Sequence, residues 1–193
     1  AFYPEDDLIL KKRSLWASAV QTHLKLKSQP PPLDLCPSAT VGNDGGAFFS
    51  DIDLAPIQLE SNKARYENAR LTEVRVWMKN WVERVQIVLE GDIPPFPGHG
   101  SENGELKILK LDPDDYITAV SVRATSPQKI VVDRGTFIGS LRIKTHKQQD
   151  WVVGTPDSRA IALDIPDGYQ VIGFHGRSGQ RIEKLGVISI PVS

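Results

Sequence analysis

The chain contains little cysteine, little net charge and no long apolar segment. Its 193 residues include one cysteine, Cys36, so an intramolecular disulfide is excluded, and a zinc site built on about four sulfur or nitrogen ligands is not expected. The 23 basic and 24 acidic residues give a net charge of −1, which provides no strong field toward nucleic acid or anionic membranes. No apolar run approaches the roughly 20 residues that span a bilayer. We therefore expect no cofactor, no nucleic-acid partner and no membrane span.

Motifs of catalysis and secretion are also missing. The sequence has no His-Glu-x-x-His helix, nucleophile elbow or phosphate loop, so this chain is not expected to be an enzyme. Its first residues are acidic and do not resemble a signal peptide. Together with the lack of disulfides, this favours a cytoplasmic location. The acidic run from Asp112 to Asp115 lacks the ligand spacing of a calcium loop and is interpreted as a solvated turn.

Residues 1–37 differ in character from the rest of the chain. Pro4 suits a first helical turn, acidic residues follow it, and leucines recur at near-helical spacing up to residue 27. Three consecutive prolines at residues 30–32 then end the helix and form a stiff joint. The pattern predicts a short N-terminal helical appendage over residues 1–37. It either packs on the following domain or is the end of a preceding one.

Residues 38–193 are predicted to form one all-β domain. Apolar residues alternate with period two, and turn-forming residues separate the runs, giving about ten to twelve short strands. The clearest alternating sets are Val74/Val76, Val85/Ile87/Leu89, Leu106/Ile108, Val120/Val122, Leu141/Ile143, Ile161/Leu163 and Ile188/Ile190. A polar stretch within residues 53–73 predicts a surface excursion or a short helix that covers, extends or replaces a nearby site.

The most informative segment lies near the C-terminal end. Two alternating apolar runs flank a loop that ends in Gly176-Arg177-Ser178-Gly179, and Glu183 follows four residues after the last glycine. Exposed backbone amides and a carboxylate can hold sugar hydroxyl groups without a metal or a nucleophile. The same residues also fit a glycine-rich hairpin with a solvated acid. The segment by itself leaves both interpretations open.

Several motifs, in order along the chain, resemble those of the jacalin-related lectins. They are the glycine loop at residues 42–46, a His-Gly pair at 99–100, Leu-Asp-Pro-x-x-Tyr-Ile at 111–117, a Ser-Leu-x-x-x-Thr strand at 140–145, and Gly-Phe-x-Gly-Arg-Ser-Gly at 173–179 with Leu-Gly-Val at 185–187. The resemblance spans roughly residues 41 to 192. It implies a β-prism I fold, with three four-stranded Greek-key sheets around a pseudo-threefold axis.

The resemblance also implies a sugar site, in which a first-loop glycine, backbone amides of the last hairpin and an acid contact the ligand. The corresponding residues here are Gly46, Gly179, Gln180, Arg181 and Glu183. The family has aspartate where this chain has Glu183, whose extra methylene moves the carboxylate by about 1.5 Å. An ion pair with Arg181 or Lys184 is a further way to divert this acid from a ligand. No aromatic residue neighbours Arg181 in the sequence.

Two functions follow from the resemblance. The first is noncatalytic binding of a mannose- or glucose-type carbohydrate or glycoprotein. The second is an accessory, targeting or protein-interaction domain of a larger fungal zinc metalloproteinase, with an eroded sugar site. Such proteins carry jacalin-like domains at their C-terminus, and the abrupt start and proline-rich joint fit that organisation. A homo-oligomer or a preceding catalytic domain is the expected protein partner.

Overall fold

The computed structural model describes residues 34–52, 66, 69–91, 96–125 and 136–192. The strands in this part of the chain form three antiparallel sheets, which confirms the predicted all-β class. Their bounds are β1 Cys36–Pro37, β2 Val41–Gly42, β3 Ala47–Ser50, β4 Leu71–Met78, β5 Val82–Leu89, β6 His99–Gly100, β7 Glu105–Lys110, β8 Ile117–Thr125, β9 Phe137–Thr145, β10 Asp150–Gly154, β11 Ile161–Ala162, β12 Tyr169–Ser178 and β13 Ile182–Pro191.

The three sheets share one strand arrangement. The second and third sheets have the orders β6-β5-β4-β7 and β10-β9-β8-β11, so each central hairpin is flanked by the two strands that follow it. The first sheet has the order β1-β13-β12-β3, and β2 also pairs with β13. Because β1 and β2 pair with different stretches of β13, opposite Ser189 and Lys184 respectively, they share one edge position. The expected β-prism of three Greek-key sheets is confirmed.

The inward faces of the three sheets build one shared apolar core. Val85, Leu141 and Leu185 come from different sheets, and each is fully buried. Alternation along the strands places these residues on the core side, as the period-two pattern predicts. Leu106 and Ile108 follow the same period but face outward from β7, with 42% and 41% of their surface exposed. Periodicity therefore identified the strand without identifying which face is buried.

A second, smaller apolar cluster covers the opposite face of the first sheet. It contains Ile52, Tyr66, Ile172, Ile188 and Ile190, each at most 4% exposed. Neighbouring residues of β12 therefore pack into different clusters, and the strand is buried on both faces from Val171 to Gly176. Tyr66 belongs to the polar stretch between β3 and β4, so this residue of the stretch packs on the outer face of the first sheet.

Two sequence predictions concern residues outside this description. The helix proposed within residues 4–27 lies outside the described residues, as does most of the 53–73 stretch. Cys36 and Pro37, which the sequence analysis places in the appendage, form β1 and pair with Ser189 and Ile188. The domain boundary itself stays a prediction. Within the described part of the chain, no helix is long and apolar enough to cross a membrane.

Candidate functional site

Two glycine-rich loops lie side by side at one end of the first sheet. Residues 43–46 connect β2 with β3, and residues 179–181 connect β12 with β13. The strand register brings them together, because Ala47 lies opposite Ser178 and Gly42 lies opposite Lys184. Each residue of the predicted site lies in one of these loops or, for Glu183, near the start of β13.

Gly46 is the point where the first loop touches the second. Its φ of +67° is in the left-handed region that favours glycine. A methyl group on Gly46 would lie 2.6 Å from the carbonyl carbon of Ser178 and 2.9 Å from the nitrogen of Gly179. Both the backbone conformation and the close approach therefore require glycine at this position.

Hydrogen bonds from polar side chains hold the first loop in place. The Asn43 side-chain oxygen accepts a 2.6 Å hydrogen bond from the Gly45 amide, which closes a local turn. The Arg177 guanidinium donates to the carbonyls of Gly45 and Gly46, at 3.1 Å each. Asn43 also donates from its side-chain amide to the carbonyl of Thr136, which precedes β9 of the third sheet. The first loop is therefore held both by Arg177 of its own sheet and by a contact with the start of the third sheet.

The carboxylate of Glu183 lies between the two loops. A methyl group on Gly45 would lie 1.8 Å from Oε2, and one on Gly179 would lie 3.3 Å from Oε1. Glu183 is half-buried. Within the described residues its carboxylate has no hydrogen-bond or ion-pair partner. The acid is therefore held beside two glycine backbones with its acceptor oxygens available.

The two cations that could divert Glu183 are engaged elsewhere. Arg181 Nε lies 3.5 Å from Oε2 of Glu83, a buried acid of the second sheet. Lys184 Nζ donates a 2.6 Å hydrogen bond to Asp44, and the ammonium group holds the pKa of that carboxyl below its usual value. The expected ion pair of Glu183 with Arg181 or Lys184 is therefore not formed.

The loops also offer unpaired backbone donors. The Gly179 amide donates to the carbonyl of Arg181 at 3.1 Å, which closes the hairpin tip. In the part of the chain that is described, the amides of Gly46, Gln180 and Arg181 donate to no protein acceptor. Three amide donors and one carboxylate acceptor are the groups that vicinal sugar hydroxyls require.

Aromatic side chains reach the site from the other two sheets. The Arg181 guanidinium carbon lies 5.1 Å from the ring centre of Phe137 and 5.9 Å from that of Trp81. The two rings lie 5.7 Å apart in a tilted arrangement. The sequence shows no aromatic residue next to Arg181, and these two aromatic contacts of its side chain come from β9 and from the β4–β5 hairpin.

Two residues of this region were not predicted from the sequence to be part of the site. Gly45 lies nearer than Gly46 to the Glu183 carboxylate, and the Gly-Gly pair of the first loop was the available signal. Ser101 donates from Oγ to the Gln180 carbonyl at 2.7 Å. Its only sequence signal was its place after the His-Gly pair. Among the described residues, no three or more His, Cys, Asp or Glu side chains cluster in a way that would hold a metal ion.

Comparison with known proteins identifies the family of this chain. Residues 38–188 match the family model of the jacalin-like lectin domain. The chain belongs to the jacalin-like lectin family. The matching model describes a lectin domain, which agrees with the expectation from the sequence that this chain is not an enzyme.

Individual relatives match smaller parts of this jacalin-like domain. Jacalin-related lectin 14 of Arabidopsis thaliana is 31% identical over 119 residues, which are 60% of this chain and 19% of the relative. PYK10-binding protein 2 of the same plant is 34% identical over 100 residues, 49% of this chain and 32% of the relative. The chain thus spans about a fifth to a third of the length of these curated relatives.

Solved structures share the fold over their whole length. The mannose-binding jacalin-related lectin of Ananas comosus superposes with a TM-score of 0.61 at 18% identity, and the match covers 82% of this chain and 99% of that one. At this identity the similarity concerns the fold. The chemistry of the site depends on the residues of this jacalin-like domain itself.

Proposed function

We propose that this jacalin-like domain binds a mannose- or glucose-type sugar, without catalysis, between its two glycine loops. Sugar hydroxyls donate to the Glu183 carboxylate, and the amides of Gly46, Gln180 and Arg181 donate to sugar oxygens. One observation carries the proposal: the acceptor oxygens of Glu183 and these three amides are all without partners within the described residues. The description of the Ananas comosus relative as mannose-binding supports the choice of sugar.

Titration calorimetry with mannose, glucose and galactose tests the proposal. We expect mannose and glucose to bind with dissociation constants near the millimolar range, as a site with few contacts would allow. Glu183→Ala should abolish binding because it removes the carboxylate acceptor that lies between the loops. Glu90→Ala is the matched control, since Glu90 is an exposed acid paired with Arg70. Absence of binding by the unmodified chain at millimolar sugar would contradict the proposal.

The length of the acid provides a second test. Glu183→Asp restores the acid of the family and withdraws the carboxylate from the first loop by about 1.5 Å. We expect this variant to bind mannose more tightly than the unmodified chain. If neither the Glu183 nor the Asp form binds any of the three sugars, the site is not a monosaccharide site.

The second candidate is a protein-interaction or targeting domain of a larger protein. Two relatives are named PYK10-binding protein 2 and myrosinase-binding protein 2, after binding partners that their names do not describe as sugars. A glycoprotein partner would satisfy both candidates, and a partner retained after enzymatic deglycosylation would favour direct protein contact. The hypothesis of a zinc metalloproteinase parent predicts a His-Glu-x-x-His helix upstream of residue 1, which sequencing of the parent gene would reveal.

A further inference from the structure

A serine of the second sheet holds a peptide group of the proposed sugar site. Ser101 directly follows β6, and its Oγ donates to the Gln180 carbonyl oxygen at 2.7 Å. The Ser101 amide lies 3.3 Å from the same oxygen and 3.1 Å from the carbonyl oxygen of Glu83. Two donors of one residue therefore converge on Gln180, while β6 itself stays paired with β5.

The geometry of the peptide bond transmits this contact to the ligand side. The Gln180 carbonyl and the Arg181 amide belong to one planar trans peptide group, in which C=O and N–H point in opposite directions. Fixing the carbonyl toward Ser101 therefore aims the Arg181 N–H away from the second sheet. This amide makes no hydrogen bond within the described residues.

The Arg181 side chain provides further contacts between the hairpin tip and the neighbouring sheets. Its Nε lies 3.5 Å from Glu83, whose side chain is 3% exposed. The guanidinium also lies over the Phe137 ring. Both the backbone and the side chain of the hairpin tip are thus held by neighbouring sheets, although the tip itself belongs to the first sheet.

We infer that Ser101 is a positioning residue for sugar binding, which orients the Arg181 amide through the Gln180 carbonyl. The inference rests on the proposed function, since it assigns a role within the same site. A hairpin tip with free donors must otherwise be ordered when ligand binds, and that ordering weakens affinity. The second sheet provides this order before the sugar arrives.

Ser101→Ala tests the inference. The variant removes the Oγ donor, and we expect it to weaken mannose binding about fivefold in calorimetry, the loss typical of one neutral hydrogen bond. Ser101→Thr keeps the hydroxyl and should retain most of the affinity. Ser158→Ala is the matched control. Ser158 is exposed in the turn between β10 and β11, and its side chain makes no hydrogen bond within the described residues.

A second readout separates positioning from overall stability. In Ser101→Ala, NMR order parameters of the Gln180 and Arg181 amides should fall from near 0.85 toward about 0.6, while the other sheet amides stay unchanged and the melting temperature falls by no more than about 4 °C. Unaltered mannose affinity in this variant, or a rigid hairpin tip, would overturn the inference while leaving the proposed function intact. Failure of the unmodified chain to bind sugar would instead overturn the proposed function, and the role of Ser101 in binding with it.

Discussion

At the scale of the residue, the length of the Glu183 side chain limits the size of the side chain that fits at position 45. Gly45 has no positive φ that would itself require glycine. A methyl group there would nevertheless lie 1.8 Å from Glu183 Oε2, and 2.9 Å from the Asn43 side-chain oxygen. A side chain larger than that of glycine at position 45 would therefore displace the Glu183 carboxylate.

Gly45→Ala should therefore weaken mannose binding by about tenfold or more. The added methyl group displaces the Glu183 carboxylate, so that its distance from the sugar hydroxyls exceeds that of a hydrogen bond. Combining it with Glu183→Asp should recover binding, because the shorter acid leaves room for the methyl group. Calorimetry of the two single variants and the double variant gives the coupling directly. Additive effects of the two substitutions in the double variant would show that the two positions do not interact.

His175 makes stability depend on pH. Burial lowers the pKa of its ring below the usual 6.5, against the opposing influence of the Ser38 carbonyl and the Asp51 carboxylate. The unfolded chain therefore binds the proton more readily than the folded one. The free energy of unfolding should decrease as pH falls from 6.5 through the lowered pKa, and should be unaffected by His175 above that range. Urea unfolding from pH 5 to 8 checks this, and His175→Phe should show a flatter profile.

At the scale of the element, one acid fastens two turns of the third sheet. Asp115 is 1% exposed, and its carboxylate accepts from the amides of Tyr116 and Lys147 at 3.0 and 2.9 Å and from the Gln149 side chain at 3.1 Å. The sequence analysis interpreted this acidic run as a solvated turn. That is wrong for Asp115, because it is buried and bonded to the turn that contains Lys147, 32 residues later in the chain.

Asp115→Ala should accordingly lower the free energy of unfolding by about 3 kcal/mol, since it leaves buried donors without their charged acceptor. Asp115→Asn keeps the shape and part of the bonding, so its loss should be smaller. Urea denaturation followed by tryptophan fluorescence measures both variants. A loss of less than about 1 kcal/mol in the alanine variant would contradict the assigned role.

At the scale of the whole molecule, all three sheets contribute to the candidate site. The first sheet carries both loops, Ser101 and Glu83 of the second sheet hold the hairpin tip, and Thr136 beside the third sheet holds Asn43. The site is therefore a product of the closed prism. Substitutions that weaken these contacts between sheets should therefore lower the affinity of the site for sugar.

The near-neutral charge of the molecule leads to a prediction about salt. A net charge of −1 gives no long-range attraction, and a neutral sugar responds only to short contacts. The dissociation constant for mannose should therefore change less than about twofold between low salt and about 0.5 M sodium chloride. Calorimetry at two salt concentrations tests this. A strong salt dependence would contradict recognition of mannose through short contacts alone.

The sequence correctly predicts the strands and the family, and it proposes the two loops in which the candidate site lies. Period-two alternation and turn residues follow from local geometry, and motifs such as Gly45-Gly46 and Gly176-Arg177-Ser178-Gly179 mark backbone positions that tolerate little else. Only the tertiary structure decided that Glu183 is free of Arg181 and Lys184, that Leu106 faces outward and that Ser101 contacts Gln180. The reason is physical: which cation meets which acid, and which face is buried, depends on residues that are distant along the chain and meet only when the three sheets close.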